Sequence, residues 1–243
     1  MLTACRAVVM GALLLAQCGC ASPPANTVST GENDPYEATN RKIFALNESF
    51  DKNFARPIAV FYVRAVPEVA RDGIHNFLTN LGMPVTFGND VLQGEGHRAV
   101  DTFGRFVVNS TVGIGGLVDV AEKTGIPEHS ADFGETLGVY GVAEGPFLVL
   151  PLLGPSNPRD AFGYGADVAM DPTTWVTFQS SSFFKLGKGV AGITDERAEN
   201  LDTLDQLERT SLDLYATERS LYRQHREAEI NHGQPNLEDL PNF

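Results

Sequence analysis

The densest group of side chains that could do chemistry lies in the stretch EHSADFGETLG, which begins at Glu128. A hydroxyl, an imidazole and carboxylates are the parts of a hydrolase site, and this stretch holds all of them: Glu128, His129, Ser130, Asp132 and Glu135. Hydrolase sites are defined by three-dimensional geometry, however, and the same residues suit a loop that leads into a helix at Asp132. We interpret the stretch as that loop, with an envelope lipid hydrolase as an alternative function.

Other sequence motifs of enzymes are absent. The chain has no G-x-S-x-G, no H-E-x-x-H, no Walker loop and no EF-hand loop. The GIGG that begins at Gly113 lacks the Lys-Ser/Thr pair of a phosphate-binding loop and predicts a bend. No histidine has a carboxylate or a second histidine at metal-binding spacing, and the five are scattered: His75, His97, His129, His225 and His232. We therefore predict a protein that is not an enzyme, with no catalytic residue, metal or cofactor.

The net charge restricts the partners. The chain carries 18 Lys and Arg against 31 Asp and Glu, a formal charge of −13, and has no basic cluster. Nucleic-acid binding depends on cations that neutralise phosphates, and attraction to anionic lipids depends on a polybasic run. Both modes of binding are disfavoured, so contact with a membrane would have to be apolar or made through a covalent anchor.

Such an anchor is predicted at the N-terminus. Residues 1–19 have one cation, Arg6, then an apolar run and small residues, which is the layout of a bacterial secretory signal and is shorter than the roughly 20 residues that span a bilayer. Gly19 before Cys20 predicts a lipoprotein signal peptide with Cys20 acylated; Cys18, or an ordinary secretory signal, is the alternative. Residues 20–32 read as a flexible tether. All three cysteines lie within the first 20 residues, so no disulfide is expected in the folded body.

The body, residues 33–232, reads as one all-α domain of many short helices. Asp34, Pro35 and Glu37 form a helix start with a capping box, and Pro57, Pro67 and Pro84 each precede a further apolar-periodic run. A charged segment with recurring leucines, TDERAENLDTLDQLERTSLDLYATERSLYRQHREAEINHG, predicts one long C-terminal amphipathic helix. Residues 233–243 are a short polar tail.

Three stretches of the body carry no charge: residues 106–118, 145–158 and 172–184. Each is too short to cross a bilayer but is long enough for about one leaflet. Soluble core segments would have the same composition. In EGPFLVLPLLGPSNPRD, however, proline and glycine leave backbone groups without helical partners, so the backbone must be held by neighbouring protein while the side chains meet lipid or a cavity.

Several stretches, taken in order over about residues 33–226, resemble the VacJ/MlaA outer-membrane lipoproteins: NDPYEATNRKIFALNESFD, NFLTNLGMPVTFGNDVLQG, TFGRFVVNSTVGIGGLVDVAEKTGIP and DFGETLGVYGVAEGPFLVLPLLGPSNPRDAFG. The resemblance implies an all-helical ring in the periplasmic leaflet of the outer membrane with a central amphipathic pore. It also implies retrograde transport of mislocalised phospholipid to a periplasmic lipid-carrier protein and on to an inner-membrane ABC transporter, with a trimeric porin as membrane companion.

The resemblance and the residue patterns together predict two sets of site residues. Six side chains are expected to face acyl chains of bulk lipid or of cargo: Phe147, Leu148, Val149, Leu150, Leu152 and Leu153. Six glycines are expected to provide bends beside the pore: Gly113, Gly115, Gly116, Gly138, Gly141 and Gly145. A passive scaffold lipoprotein associated with porins is the remaining alternative.

Overall fold

The computed structural model describes residues 33–232. The predicted signal peptide with Cys18 and Cys20, the tether up to residue 32 and the tail 233–243 lie outside the described residues. Residues 36–232 belong to one compact unit. Its helices are α1 (Glu37–Phe50), a π-helical turn (Asp51–Ala55), α2 (Arg56–Ala65), α3 (Glu68–Gln93), α4 (Gly96–Thr111), α5 (Val120–Lys123), α6 (Phe133–Val139), α7 (Pro158–Met170), α8 (Pro172–Trp175), α9 (Ser181–Glu199), α10 (Leu201–Thr210) and α11 (Leu214–Ile230).

The predicted all-α class is confirmed, with one addition. A small antiparallel hairpin joins β1 (Leu148–Leu150) to β2 (Gly154–Ser156), with Val149 opposite Pro155. It lies in the proline-rich stretch that showed no strand alternation. Three residues per strand are too few for alternation to be visible in the sequence.

The helix starts differ in part from the prediction. The first helix begins at Glu37, and Tyr36 occupies the N-cap position without a side-chain cap, so the predicted start at Asp34 and Pro35 is wrong. Pro57 lies in the first turn of α2, directly after the π-helical turn. The π-helical turn forms there because a proline ring crowds the carbonyl four residues earlier and widens the turn that contains it. Pro84 does not start a helix but lies inside α3.

The single long C-terminal helix is also wrong. The helical segment is interrupted at Asn200 and again at Ser211, whose ψ of 132° is extended. Asp213 then accepts a hydrogen bond from the Ala216 backbone N–H at 3.2 Å and caps a new helix. These breaks direct α10 against α2, and α11 against α6 and β2.

In this unit polar side chains are buried and many large apolar side chains are exposed, which is the inverse of the burial in a water-soluble protein. The largest fully buried side chains are polar: Glu135, Asn40, Asn89, Asn157, Thr136 and Asp90. Helix α4 shows the inversion most clearly, because it buries Thr102, Arg105 and Asn109 while exposing the following large apolar side chains on its other face: Val100, Phe103 and Val107. Soluble helices bury the apolar face instead. Within residues 33–232 no helix has both the length and the low charge needed to cross a membrane.

The apolar core is small and holds the hairpin against the first and last helices. Phe147 and Val149 from β1 and its N-terminal flank pack against Tyr215 of α11, whose ring lies 6.0 Å from that of Phe147. Side chains of α1 bond the free edge of β1: the Asn40 amide donates to Phe147 O at 3.0 Å, and the Asn40 side-chain oxygen accepts from Val149 N at 3.1 Å. Helix α1 therefore takes the place of a third strand.

Two turns further along α1, Asn47 makes the same pair of side-chain bonds to the backbone of the hairpin. Its amide donates to Leu150 O at 2.9 Å, and its oxygen accepts from Leu152 N at 2.8 Å. The seven-residue spacing puts Asn40 and Asn47 on one face of the helix. Leu152, at the tip of the hairpin, has φ of 65°, a left-handed value uncommon for leucine, and the bond to Asn47 helps to hold it there.

We expect Asn40→Ala to destabilise the protein by about 2 kcal/mol, because the change leaves two buried backbone groups of β1 without that partner. Chemical denaturation of the detergent-solubilised protein measures the loss. Asn53→Ala is the matched control, since Asn53 is exposed and its amide donates only to Ser49 within its own helical turn. Equal stabilities of the two variants would contradict the assigned role of Asn40.

Candidate functional site

A cavity of about 1040 Å³ lies between the hairpin and helices from both ends of the chain. The C-terminal end of α1 and the π-helical turn form part of its wall, and α7, α8, α9, α10 and α11 contribute the rest. Small-molecule sites usually measure roughly 300–1,000 Å³, so this cavity is large enough for a sizeable ligand.

One part of the cavity wall is apolar. The hairpin contributes Leu150, Leu152 and Leu153, and α9 and α10 contribute Ile193 and Leu204. Leu152 and Leu153 are more than half exposed, at 64% and 55%, and sit at the strained tip held by Asn47. This surface suits hydrocarbon chains.

The other part of the wall is polar, and hydrogen bonds hold its side chains in position. The Lys185 ammonium donates to Thr174 O at 2.6 Å, and the Lys188 ammonium lies 2.5 Å from Asp171 Oδ2 and 2.9 Å from Thr173 Oγ1. Asp171, directly before Pro172, also caps α8 by accepting from Thr173 N. Two fixed ammonium groups therefore face the same cavity as the leucines of the hairpin.

At the junction of α7 and α11 the wall contains a buried ion-pair network centred on Arg226. Arg226 Nη1 lies 2.6 Å from Asp132 Oδ2, and Arg226 Nε lies 3.0 Å from Asp160 Oδ2. Asp160 also accepts from Tyr222 Oη at 2.5 Å and from Arg159 Nε at 2.8 Å. The network fixes the end of α11 against the helix starts at Asp132 and Asp160.

Burial and hydrogen bonding act in opposite directions on this network. Burial by itself would raise the pKa of Asp160, but the bonds from Arg159 and Tyr222 and the charge of Arg226 hold it below its usual range. Burial would likewise lower the pKa of Arg226, whereas its bonds to Asp132 and the nearby carboxylates raise it. Both groups are therefore charged at neutral pH.

The six predicted lipid-facing residues do not share one environment. Leu150, Leu152 and Leu153 line the cavity. Phe147 and Val149 are only 4% and 3% exposed and belong to the apolar core, so the structure corrects their predicted contact with acyl chains. Their side chains alternate with Leu148 and Leu150 along β1, and one face of that strand packs on Tyr215. Leu148 is half-buried and is not among the cavity-lining residues.

The six predicted glycine bends also divide. Four have the left-handed backbone that favours glycine: Gly115, Gly116, Gly141 and Gly145. Gly113 instead allows a close approach, because a Cβ there would lie 2.2 Å from Val118 O. Gly138 lies inside α6 against Ile230, so its predicted role as a loop bend is wrong. None of the six is among the residues that line the large cavity.

The residues of EHSADFGETLG form structural hydrogen bonds and a helix cap. His129 Nε2 lies 2.9 Å from Asp90 Oδ2 and 3.0 Å from Thr102 Oγ1. A triad needs the acid and the hydroxyl on opposite ring nitrogens, and here both face the same one. Asp132 caps α6, and Ser130 contributes its carbonyl to Arg98. Burial raises the pKa of Glu135 to about 7, which reflects an enclosed carboxyl rather than a relay.

Two functional features escaped the sequence analysis. Lys185 and Lys188 come just after the uncharged segment 172–184, and both line the large cavity. Their position in the sequence could have predicted that an apolar surface ends there in polar groups. The second feature is a cluster of His75, Asp195 and Glu199, whose ligand atoms all lie within 4.8 Å of one another. Because 120 residues separate His75 from Asp195, no local spacing connects the histidine with the two carboxylates.

Comparison with known proteins agrees with the all-α fold. A protein of Escherichia coli (strain K12) named "Intermembrane phospholipid transport system lipoprotein MlaA" is 35% identical over 240 residues, which is 97% of this chain and 92% of that protein. The Haemophilus influenzae protein of the same name is 32% identical over 240 residues, covering 96% and 95%. An "Uncharacterized protein" of Rickettsia bellii (strain RML369-C) is 38% identical over 200 residues, covering 82% and 77%.

A solved structure described as "Structural basis for maintenance of bacterial outer membrane lipid asymmetry" superposes with a TM-score of 0.72 at 37% identity. The match covers 82% of this chain and 99% of that one. The family model described as "MlaA lipoprotein" matches residues 32–229, which include the hairpin, the large cavity and every described helix up to α10 together with nearly all of α11. The chain therefore belongs to the MlaA lipoprotein family.

Proposed function

We propose that this protein removes mislocalised phospholipids from the outer leaflet of the outer membrane and passes them to a periplasmic carrier, which maintains lipid asymmetry. The observation that carries the proposal is the combination of inverted burial with an amphipathic cavity. The names of the E. coli and H. influenzae relatives, which specify intermembrane phospholipid transport, support it.

The inverted burial supports a position within one leaflet. Outside the large cavity, large apolar side chains are exposed in two of the three uncharged stretches, among them Ile114 and Trp175. Moving each from water to hydrocarbon contributes roughly 1.5–3 kcal/mol, so a handful of such side chains outweighs the cost of immersing the intervening backbone bends. Acylation at Cys20 would add a covalent anchor.

The cavity supports passage of a molecule that has both a charged and an apolar part. The leucines of the hairpin suit acyl chains, whereas Lys185, whose ammonium bonds only a neutral carbonyl among the described residues, offers positive charge to a phosphate beside the Lys188–Asp171 pair. A head group crossing hydrocarbon unaided loses its hydration at a cost of several kcal/mol or more. A path with fixed ammonium groups replaces part of that hydration, so the protein lowers the barrier without making or breaking a covalent bond.

The arrangement of His129 disfavours the hydrolase alternative, because one ring nitrogen serves both Asp90 and Thr102. The transport proposal therefore includes no catalytic residue. We further propose a trimeric porin as the membrane companion of this chain, and an inner-membrane ABC transporter downstream of the periplasmic carrier.

Deletion of the gene in the native bacterium tests the proposal. We expect surface-exposed phospholipid, labelled with a membrane-impermeant amine-reactive reagent, to rise several-fold and to return to the normal level when the wild-type chain is supplied. An unchanged surface signal in the deletion would contradict transport. Restoration by His129→Ala would separate transport from hydrolysis, since a hydrolase dependent on His129 would fail.

A further inference from the structure

The cluster of His75, Asp195 and Glu199 joins two helices. His75 lies on α3, and the two carboxylates lie four residues apart on one face of α9. His75 Nδ1 lies 2.9 Å from Asp195 Oδ2 and 3.0 Å from Glu199 Oε1. Three groups that commonly bind metals thus converge on one point from two elements.

A proton explains this convergence poorly. A ring nitrogen carries at most one N–H, and only the contact with Asp195 has the geometry of a hydrogen bond. Glu199 Oε1 lies as near without such a bond. Two ligands at about 2.1 Å from an ion and about 90° apart are separated by about 3.0 Å, which matches both distances. Both distances from His75 Nδ1 are therefore those of neighbouring ligands on one ion, and all three ligand atoms lie within 4.8 Å of one another.

The surroundings also favour a cation. Asp195 is only 5% exposed, and its second oxygen, Oδ1, accepts from Tyr62 Oη at 3.2 Å, which orients the carboxylate and leaves Oδ2 toward His75. The cluster borders a cavity of about 450 Å³, which provides room for water ligands. Five carboxylates line this cavity against two cations, Arg71 and Lys123: Asp72, Asp119, Glu122, Asp195 and Glu199.

We propose that His75, Asp195 and Glu199 bind a divalent transition-metal ion, with water from the cavity completing its coordination. A mixed imidazole and carboxylate set suits Zn²⁺ or Co²⁺ better than Mg²⁺, which prefers oxygen ligands alone. The ion would tie α9 to α3. Because Lys188 and Arg197 of α9 line the large cavity, the metal would also fix that wall.

Calorimetric titration of the detergent-solubilised full chain with ZnCl₂ tests the proposal, with Glu199→Gln as the variant. Glutamine keeps the shape of the side chain, and Glu199 is exposed at the end of α9, so the fold should be unaffected. We expect binding at least about tenfold weaker in Glu199→Gln than in the wild type. Glu122→Gln, which removes a carboxylate from the same cavity but not from the cluster, should bind like the wild type.

Two further readouts separate a built site from nonspecific uptake. Zn²⁺ should raise the Tm of the wild type and of Glu122→Gln but not of His75→Ala. Co²⁺ should give the weak visible absorption of a six-coordinate site, which Mg²⁺ in excess does not abolish. Absence of zinc binding by the wild type, or equal binding by the wild type and Glu199→Gln, would overturn the proposal.

Discussion

Replacing Gly192 with tryptophan should abolish phospholipid passage while the protein remains folded and at its normal level. Gly192 lies on α9 and lines the large cavity, and a Cβ added there meets no atom within 4 Å. The backbone is helical, so a larger residue is tolerated and the helix even gains about 0.5–1 kcal/mol over glycine. An indole ring would then fill space that a lipid needs. Surface phospholipid, measured by amine labelling, should rise to the level of the deletion strain.

Gly187→Trp is the matched control for this plug. Gly187 lies on the same helix and is equally open around an added Cβ, but it does not line the cavity. Surface phospholipid should therefore stay at the wild-type level in Gly187→Trp. If Gly192→Trp also kept that level, the cavity would not be the route, and the scaffold alternative would gain support, because a scaffold tolerates a filled cavity as long as its outer surface is unchanged.

The position of the plug shows what the sequence alone could not provide. Among the glycines predicted to lie beside the pore, Gly116 stands out in the GIGG motif, yet its φ of 94° and the Asn80 side chain, 2.7 Å from an added Cβ, make it a poor site for tryptophan. Gly192 has no local signature. Its importance follows from α9 and the hairpin lining the same cavity, an arrangement that exists only in the folded chain.

The apolar periodicity identified the apolar face of each helix but not whether that face points toward the core or toward the surface. The apolar stripe of α1 and the π-helical turn runs from Ile43, which packs on the core, to Phe50 and Phe54, which are exposed. On α4 the apolar face points outward because Asp90, His129 and Asp119 supply partners for the polar face. Such partners are distant in sequence, so a polar interior becomes visible only in three dimensions.

Properties that depend on local composition could be predicted from the sequence more readily. Uncharged stretches of about one leaflet in length, the lack of basic clusters and the helix starts at Pro57 and Pro67 could all be predicted, because each follows from local residue types. The separation of Phe147 and Val149 from Leu150 and Leu152 could not. It depends on Asn40 and Asn47 fixing the hairpin so that Phe147 and Val149 meet Tyr215.

Arg226→Met should destabilise the protein more than any other single change considered for this chain, by about 3–5 kcal/mol. Methionine fills a similar volume but removes the charge that Asp160 and Asp132 face, and Asp160 is largely buried. Among the described residues, the buried Asp160 carboxylate would keep only Arg159 as an ionic partner, and removing one partner from a buried ion-pair network is costly. Chemical denaturation at neutral pH measures the effect. Arg209→Met is the control, since Arg209 is 76% exposed, lies 3.7 Å from Asp205 and should contribute less than about 1 kcal/mol.

The effect of Arg226→Met should also depend on pH, with a defined sign. The native-state pKa of Asp160 is below its usual value, so the stability that this group contributes is fully present above the ordinary Asp pKa of about 3.9 and is lost as the pH falls through the native-state value. Protonation of Asp160 removes its ion pair with Arg226 in the wild type, whereas the variant has only the pair with Arg159 to lose. The difference in the free energy of unfolding should therefore narrow below about pH 4. A difference that stayed constant from pH 7 to pH 3 would show that Arg226 acts through packing of its side chain and not through its charge.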